Sequence, residues 1–260
     1  MPDILKGFIL QIQFLTRIPL PVKIPYEERL LIKGFPLIPL AGFIIGLGMA
    51  GSYYLAALCG YRLISVMASL CAWVLLTGAL HLDGFADTCD GLYSSRDREK
   101  ILAIMKDPRT GVMGVTGLIL LFMIKGSVLL VLHPALIVSC LICLPVTGRL
   151  NAVWLAGISG YAGESRGMGA VYAEQCGKKQ MVTACLAGLV VLLPFSGYRC
   201  LAPLLITILC TTGFGRMLKK RIGGITGDTL GYTIEVSEAV YLVCLLIQET
   251  VISNLAVHTA

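Results

Sequence analysis

Long apolar runs alternate with short polar stretches along this chain. Seven runs are apolar enough to cross a bilayer: residues 35–58, 62–80, 111–132, 134–157, 181–196, 201–214 and 236–255. A spanning helix needs about 20 residues, so the fifth and sixth runs are short. Pro36, Pro39, Pro145 and Pro203 fall within or at the start of runs, where neighbouring helices can re-satisfy the freed backbone groups. An apolar stretch at residues 7–15, broken by Gln11 and Gln13 and lacking a small-residue cleavage site, predicts an interfacial helix and not a cleaved leader.

Composition agrees with the pattern. Of 260 residues, 57% are hydrophobic and 14% charged, and the mean hydropathy is +0.84. Soluble domains carry about 25% charged residues, so the chain reads as an all-α, polytopic integral membrane protein of one domain, residues 1–260. Seven spans leave no room for a soluble domain of ordinary size.

Charge then orients the spans. Lys6, Arg17, Lys23, Arg29 and Lys33 precede the first run; Arg96, Arg98, Lys100, Lys106 and Arg109 separate the second from the third. Arg166, Lys178 and Lys179 follow the fourth, and Arg216, Lys219, Lys220 and Arg221 follow the sixth. The opposite side receives Arg62 and Arg199, while Lys125 and Arg149 sit inside runs. Basic loops face the cytoplasm, so the N-terminus and the three rich loops belong there. The net charge of +6 is thus topological and gives no reason to expect a nucleic-acid partner. The ten cysteines read as small buried hydrophobes. Cys140 and Cys143 form a C-x-x-C, but it lies inside a run and has no second ligand pair for zinc.

The chemistry is concentrated at one place. His81-Leu82-Asp83-Gly84-Phe85-Ala86-Asp87-Thr88-Cys89-Asp90-Gly91 closes the second run with an imidazole and three carboxylates. A carboxylate near hydrocarbon costs several kcal/mol, so three need a reason. On a helix, Asp87 lies about 40° from Asp83 and Asp90 about 20° to the other side, all within roughly 10 Å of axis. Such a face repels itself unless a cation enters it, and oxygen ligands suit Mg²⁺ or Mn²⁺. A solvated acidic loop is the plainer alternative. Asp97 continues the same face if the helix survives Gly91.

Around this motif stand the other candidates. Lys106 and Arg109 are placed to pair with phosphate oxygens, or serve only as membrane-flanking charges. Arg149 and Lys125 are costly intramembrane cations, and Arg149 is expected to meet an acidic centre. Gly111, Gly114 and Gly117 allow either close helix packing or approach of a nucleotide. Gly227-Asp228-Thr229-Leu230-Gly231, after a basic run, suits an anion-binding loop whose Asp228 is a metal ligand or base. Arg166 is a further phosphate candidate. His81 is either a general base or an interfacial histidine; on a regular helix it faces away from Asp83. No P-loop or dinucleotide fingerprint is present.

Taken together these motifs resemble the cobalamin synthase family, membrane enzymes also called adenosylcobinamide-GDP ribazoletransferases. The resemblance rests on residues 81–91, on Ile104-Met105-Lys106-Asp107-Pro108-Arg109 with Gly111 and Gly114, and on Thr16-Arg17-Ile18-Pro19, Gly148-Arg149 and residues 227–231. Cys89, where a small residue is more usual, and the stretch 158–179 depart from the pattern. The resemblance implies a site on the cytoplasmic side, with adenosylcobinamide-GDP and α-ribazole, or its 5′-phosphate, as substrates. The ribose 3′-hydroxyl would attack the phosphate on the cobinamide arm, GMP would leave, and Mg²⁺ would be required. Asp83, Asp87, Asp90 and Asp228 would then hold metal, and Lys106, Arg109, Arg149 and Arg166 phosphate. His81 or a carboxylate, Asp228 included, would accept the proton. The partners implied are these substrates and the lipid bilayer; a homo-oligomer is neither required nor excluded.

Three rivals carry different signatures. The CDP-alcohol phosphotransferase motif needs an Ala-Arg pair after Asp-Gly, and Phe85-Ala86-Asp87 lacks it. Membrane prenyltransferases share the Asp83/Asp87 spacing but precede it with another acidic pair. An ion-coupled transporter should carry its acids at mid-membrane.

Overall fold

The computed structural model describes residues 1–163 and 167–259. Its helices in order are α1 (Asp3–Leu15), α2 (Glu28–Gly34), α3 (Ile38–Ala57), α4 (Arg62–Thr77), α5 (Leu80–Ser94), α6 (Arg98–Met105), α7 (Val112–Val131), α8 (Pro134–Ile158), α9 (Met168–Gln175), α10 (Lys178–Ser196), α11 (Leu201–Arg221) and α12 (Gly227–Thr259). No strand occurs among the described residues; a single parallel bridge joins Tyr161 to Ile225.

By length and apolarity five helical stretches qualify as spans: Glu28–Ala57, Val112–Val131, Pro134–Ile158, Lys178–Arg221 and Gly227–Leu255. The pair α4 and α5, bent by 89°, adds a sixth if it crosses as one unit. Against the sequence count of seven, the second run qualifies only when α4 is joined to α5, and the fifth and sixth runs fall in one stretch. Lys178–Arg221 is 44 residues long and contains both short predicted runs. It divides after Ser196, where Gly197 has a φ of 58° and a 3₁₀ turn, Gly197–Cys200, leads into α11.

α8 is the central helix, with 83% of its most apolar window buried, against 22% for the stretch holding α10 and α11. It can be approached closely because its neighbours are small there. A Cβ at Gly42 or Gly46 of α3 would stand 2.4 Å from the carbonyl oxygen of Pro145 or Ile142. Small residues at such crossings replace the hydrophobic drive that lipid removes. The predicted interfacial helix is α1, and it is docked: Gly7 and Gly34 meet backbone to backbone across α1 and α2. Gln11, which interrupts its apolar pattern, is buried and donates from Nε2 to the Leu31 carbonyl at 3.0 Å.

The bend between α4 and α5 places the acidic motif. Gly78 and Ala79 both take left-handed φ values, 60° and 59°. Ala79 N–H donates to the Val74 carbonyl and Gly78 N–H to Leu75, closing a Schellman-type cap. The left-handed Ala79 costs about 1–2 kcal/mol, which the cap and the Arg17 backbone bond to the Leu76 carbonyl offset. The chain therefore leaves α4 nearly at right angles, and the acidic motif lies on a packed helix and not in a solvated loop.

Candidate active site

Two helices bring the acids together. Along α5, Asp83 is exposed, Asp87 half-buried and Asp90 buried. The segment around Asp228, expected to be a loop, is the first turn of α12. Thr226 and Thr229 cap it reciprocally: Thr226 N–H donates to Thr229 Oγ1 at 2.8 Å, and Thr229 N–H to Thr226 Oγ1 at 3.3 Å. The glycines decide how near α5 and α12 come. A Cβ at Gly84 would lie 2.8 Å from Asp228 Cα, and one at Gly231 3.1 Å from the His81 carbonyl oxygen. Asp83 and Asp228 thus face one another across a helix contact, and Asp87 lies within electrostatic reach of Asp83, Asp228 and Asp90.

A cavity of about 180 Å³ opens at this contact. It is lined by His81 and Asp83 from α5, Arg149 from α8 and Asp228 from α12, with Phe14 and Tyr172 among its apolar walls. At about 30 Å³ per water this is room for roughly six waters, the scale of a diphosphate and far below that of a corrin.

Asp90 behaves differently from its neighbours. Gly111 N–H donates to its Oδ2 at 2.7 Å and Gly114 N–H to its Oδ1 at 2.8 Å. The carboxylate caps α7 from another helix, since Gly111 at that N-cap has no side chain to do so. Any Cβ at Gly111 or Gly114 would sit 2.5 Å from an Asp90 oxygen, and one at Gly117 2.9 Å from Cys89 Sγ. The glycine triplet is the α5–α7 packing face, the plainer of its two readings.

Among the described residues no three His, Cys, Asp or Glu side chains already stand in metal-binding range. The donor type nonetheless fits a hard divalent ion: Asp83, Asp87 and Asp228 offer only carboxylate oxygens, and among the described residues neither Asp83 nor Asp87 has a hydrogen-bond or ion-pair partner.

The cations divide. Lys106 is exposed at the end of α6. Arg109 is clamped on Asp107, Nε to Oδ1 at 2.9 Å and Nη2 to Oδ2 at 2.7 Å, which holds the Asp107 carboxyl down at about 2. Neither lines the cavity. Arg166 lies outside the described residues. Arg149 and Lys125 belong to a buried network that reading the sequence only half recovered. Lys125 Nζ bonds Glu235 Oε2 at 2.6 Å and Glu238 Oε2 at 2.7 Å, and stands 3.9 Å above the Trp73 ring. Arg149 Nη1 bonds Glu238 Oε1 at 2.6 Å, and its Nη2 meets His81 Nδ1 at 3.1 Å. A Cβ at Gly148 would strike that same Glu238 oxygen at 2.6 Å, so the glycine beside Arg149 admits the glutamate. Glu235 was missed because it precedes the predicted run, and Glu238 because it is the third residue of that run and was absorbed into it. Two unpaired intramembrane cations were the signal that counter-charges had to exist.

Arg98 and Arg221 hold the scaffold. Arg98 Nε donates to the Ile222 carbonyl at 2.9 Å, and Arg221 Nη2 to the Leu92 and Ser95 carbonyls at 2.9 and 2.7 Å. These bonds clip the end of α5 to the end of α11.

Two carboxylates, a guanidinium and an imidazole lining one cavity of a helical bundle equip an enzyme for a charged substrate. The sequence matches the family profile described as cobalamin-5-phosphate synthase over residues 7–246. It is 36% identical to an adenosylcobinamide-GDP ribazoletransferase of Clostridium novyi, covering 93% of this chain and 97% of that one. A protein of the same name from Alkaliphilus oremlandii is 34% identical over 95% and 100% of the two chains. One from Caldanaerobacter subterraneus is 37% identical over 91% and 96%. No solved structure matches. The chain belongs to the cobalamin-5-phosphate synthase family and is a transferase of cobalamin synthesis.

Proposed function

We propose that this protein transfers α-ribazole, or its 5′-phosphate, onto adenosylcobinamide-GDP. The products are GMP and adenosylcobalamin or its 5′-phosphate, the last assembly step of the nucleotide loop. The observation that carries the reading is the single cavity where Asp83 and Asp228 stand opposite His81 and Arg149. Attack on a pyrophosphate asks for that combination: anionic groups to collect a cation, and fixed donors to meet phosphate oxygens.

Asp83, Asp87 and Asp228 would hold Mg²⁺, with Asp90 anchoring the helix that presents them. When bound, the ion neutralises charge on the pyrophosphate oxygens. The 3′-hydroxyl oxygen of ribazole forms a bond to the phosphorus on the cobinamide arm while the bridge to GMP breaks. Asp228, at the α5–α12 contact, would take the hydroxyl proton. Lys106 and Arg109, exposed outside the cavity, would steer the anionic nucleotide; Arg109 would exchange Asp107 for phosphate. The corrin is too large for the cavity and would stay outside it.

The cavity opens at the end of the bundle where α11 delivers Lys219, Lys220 and Arg221 to the start of α12. By the charge rule that end faces the cytoplasm of a cell whose inner membrane holds the protein. The test is direct: purified protein, adenosylcobinamide-GDP, α-ribazole and Mg²⁺ should release GMP and form the cobalamin. If no GMP appears with either ribazole form, the proposed reaction is wrong.

A further inference from the structure

His81 sits in the site with its chemistry already decided. A guanidinium has only donors, so the 3.1 Å contact from Arg149 Nη2 requires an unprotonated Nδ1 on His81. Arg149 is not free to turn away. Its Nη1 is held by Glu238 Oε1 at 2.6 Å, and the other Glu238 oxygen is held by Lys125 at 2.7 Å. His81 is 4% exposed and the other three side chains at most 1%. The ring proton therefore belongs on Nε2. That atom is buried and has no hydrogen-bond partner among the described residues, although its side chain lines the cavity shared with Asp83 and Asp228. A buried donor left unpaired is costly, and sites built to bind a polar group are where such donors persist.

We infer that His81 is a catalytic residue acting as a hydrogen-bond donor, its Nε2–H meeting a non-bridging oxygen of the phosphate that undergoes transfer. Arg149 and Glu238 are positioning residues that fix its tautomer. The inference rests on the proposed reaction and refines it. As the ribose oxygen–phosphorus bond forms and the phosphorus–oxygen bond to GMP breaks, charge builds on that non-bridging oxygen, and the donor meets it. The hydroxyl proton passes to Asp228 and then to solvent, while the His81 proton stays on the ring. On this inference the base is the carboxylate and not His81, whose basic nitrogen is occupied, and Arg149 acts on phosphate through the imidazole.

The chain has three histidines, so ¹⁵N-histidine labelling resolves them, and His81→Gln identifies the His81 signals. The expected spectrum shows unprotonated Nδ1 and protonated Nε2, with Glu238→Gln admitting the second tautomer. Adding adenosylcobinamide-GDP without ribazole should shift the Nε2–H resonance. A protonated Nδ1 in the wild type, or an Nε2–H unmoved by a substrate that the enzyme turns over, overturns the inference. In turnover, Gln places an amide N–H near Nε2 and should keep the rate within about tenfold, whereas His81→Phe should lose about 10²–10³-fold. A His81→Gln enzyme that is folded yet as slow as His81→Phe would also overturn it. Wild-type enzyme releasing no GMP removes the proposed reaction instead, and leaves the tautomer result standing.

Discussion

Gly84 stands so close to Asp228 that a methyl group at position 84 would come within 2.8 Å of the Asp228 Cα. The contact is backbone against backbone, so nothing flexible can yield. It sets the distance between the acidic face of α5 and the first turn of α12. Gly84→Ala should force the helices apart, at about 1–3 kcal/mol of stability for the overpacking. A shift approaching 1 Å at the reacting groups costs on the order of 10²-fold in rate. Thermal unfolding in detergent and a GMP-release assay check both; wild-type values in each would show that the spacing is not critical.

Asp90 and Asp87 share a face but should fail differently. Asp90→Ala removes the only side-chain cap on α7 and should destabilise by about 1–2 kcal/mol. The Mg²⁺ concentration giving half-maximal rate should not change. Asp90→Asn, which keeps one acceptor oxygen, should lose less. A raised Mg²⁺ requirement in Asp90→Ala would return this residue to the ligand set.

Lys125 lies between two buried carboxylates, so Lys125→Met strands charge in a dry interior. Removing one partner of such a pair costs about 3–5 kcal/mol. The double variant Lys125→Met with Glu235→Gln restores the balance, leaving Arg149 with Glu238. It should be more stable than Lys125→Met alone, which thermal unfolding of the two variants side by side would reveal. Additive losses would mean the network carries no coupling.

The Arg109–Asp107 clamp predicts its own pH behaviour. Arg109 lowers the Asp107 carboxyl to about 2, so the ionised pair persists at every pH above that and is lost only as pH falls through about 2. Asp107 should therefore contribute no pH dependence between pH 5 and 9. In Arg109→Ala its midpoint should rise toward the ordinary aspartate value of about 3.9, followed by ¹³C carboxyl NMR. A midpoint unmoved by the substitution would show that the two side chains do not pair in solution.

The apolar runs and the acidic motif were readable because lipid penalises charge so heavily that both spans and exceptions stand out. The right angle between α4 and α5 was less so: it depends on Ala79 adopting a left-handed conformation that alanine ordinarily avoids. Asp228 was found, but as a loop residue, because a reciprocal cap between two threonines extends α12 well before its apolar run begins. Asp90 had the spacing of a ligand, and its use as a cap depends on α7 returning to α5. The partners of Arg149 and Lys125 were invisible to a search for apolar runs, since Glu235 and Glu238 straddle the edge of one.

The most direct test of the central claim is the Mg²⁺ dependence of GMP release by purified Asp87→Asn enzyme. Asp87 has no hydrogen-bond or ion-pair partner among the described residues, so the substitution removes a charge without breaking a bond there. If Asp83, Asp87 and Asp228 together hold the ion, the half-saturating Mg²⁺ concentration should rise at least about tenfold with the thermal stability unchanged. An unchanged Mg²⁺ curve at unchanged turnover would contradict the account.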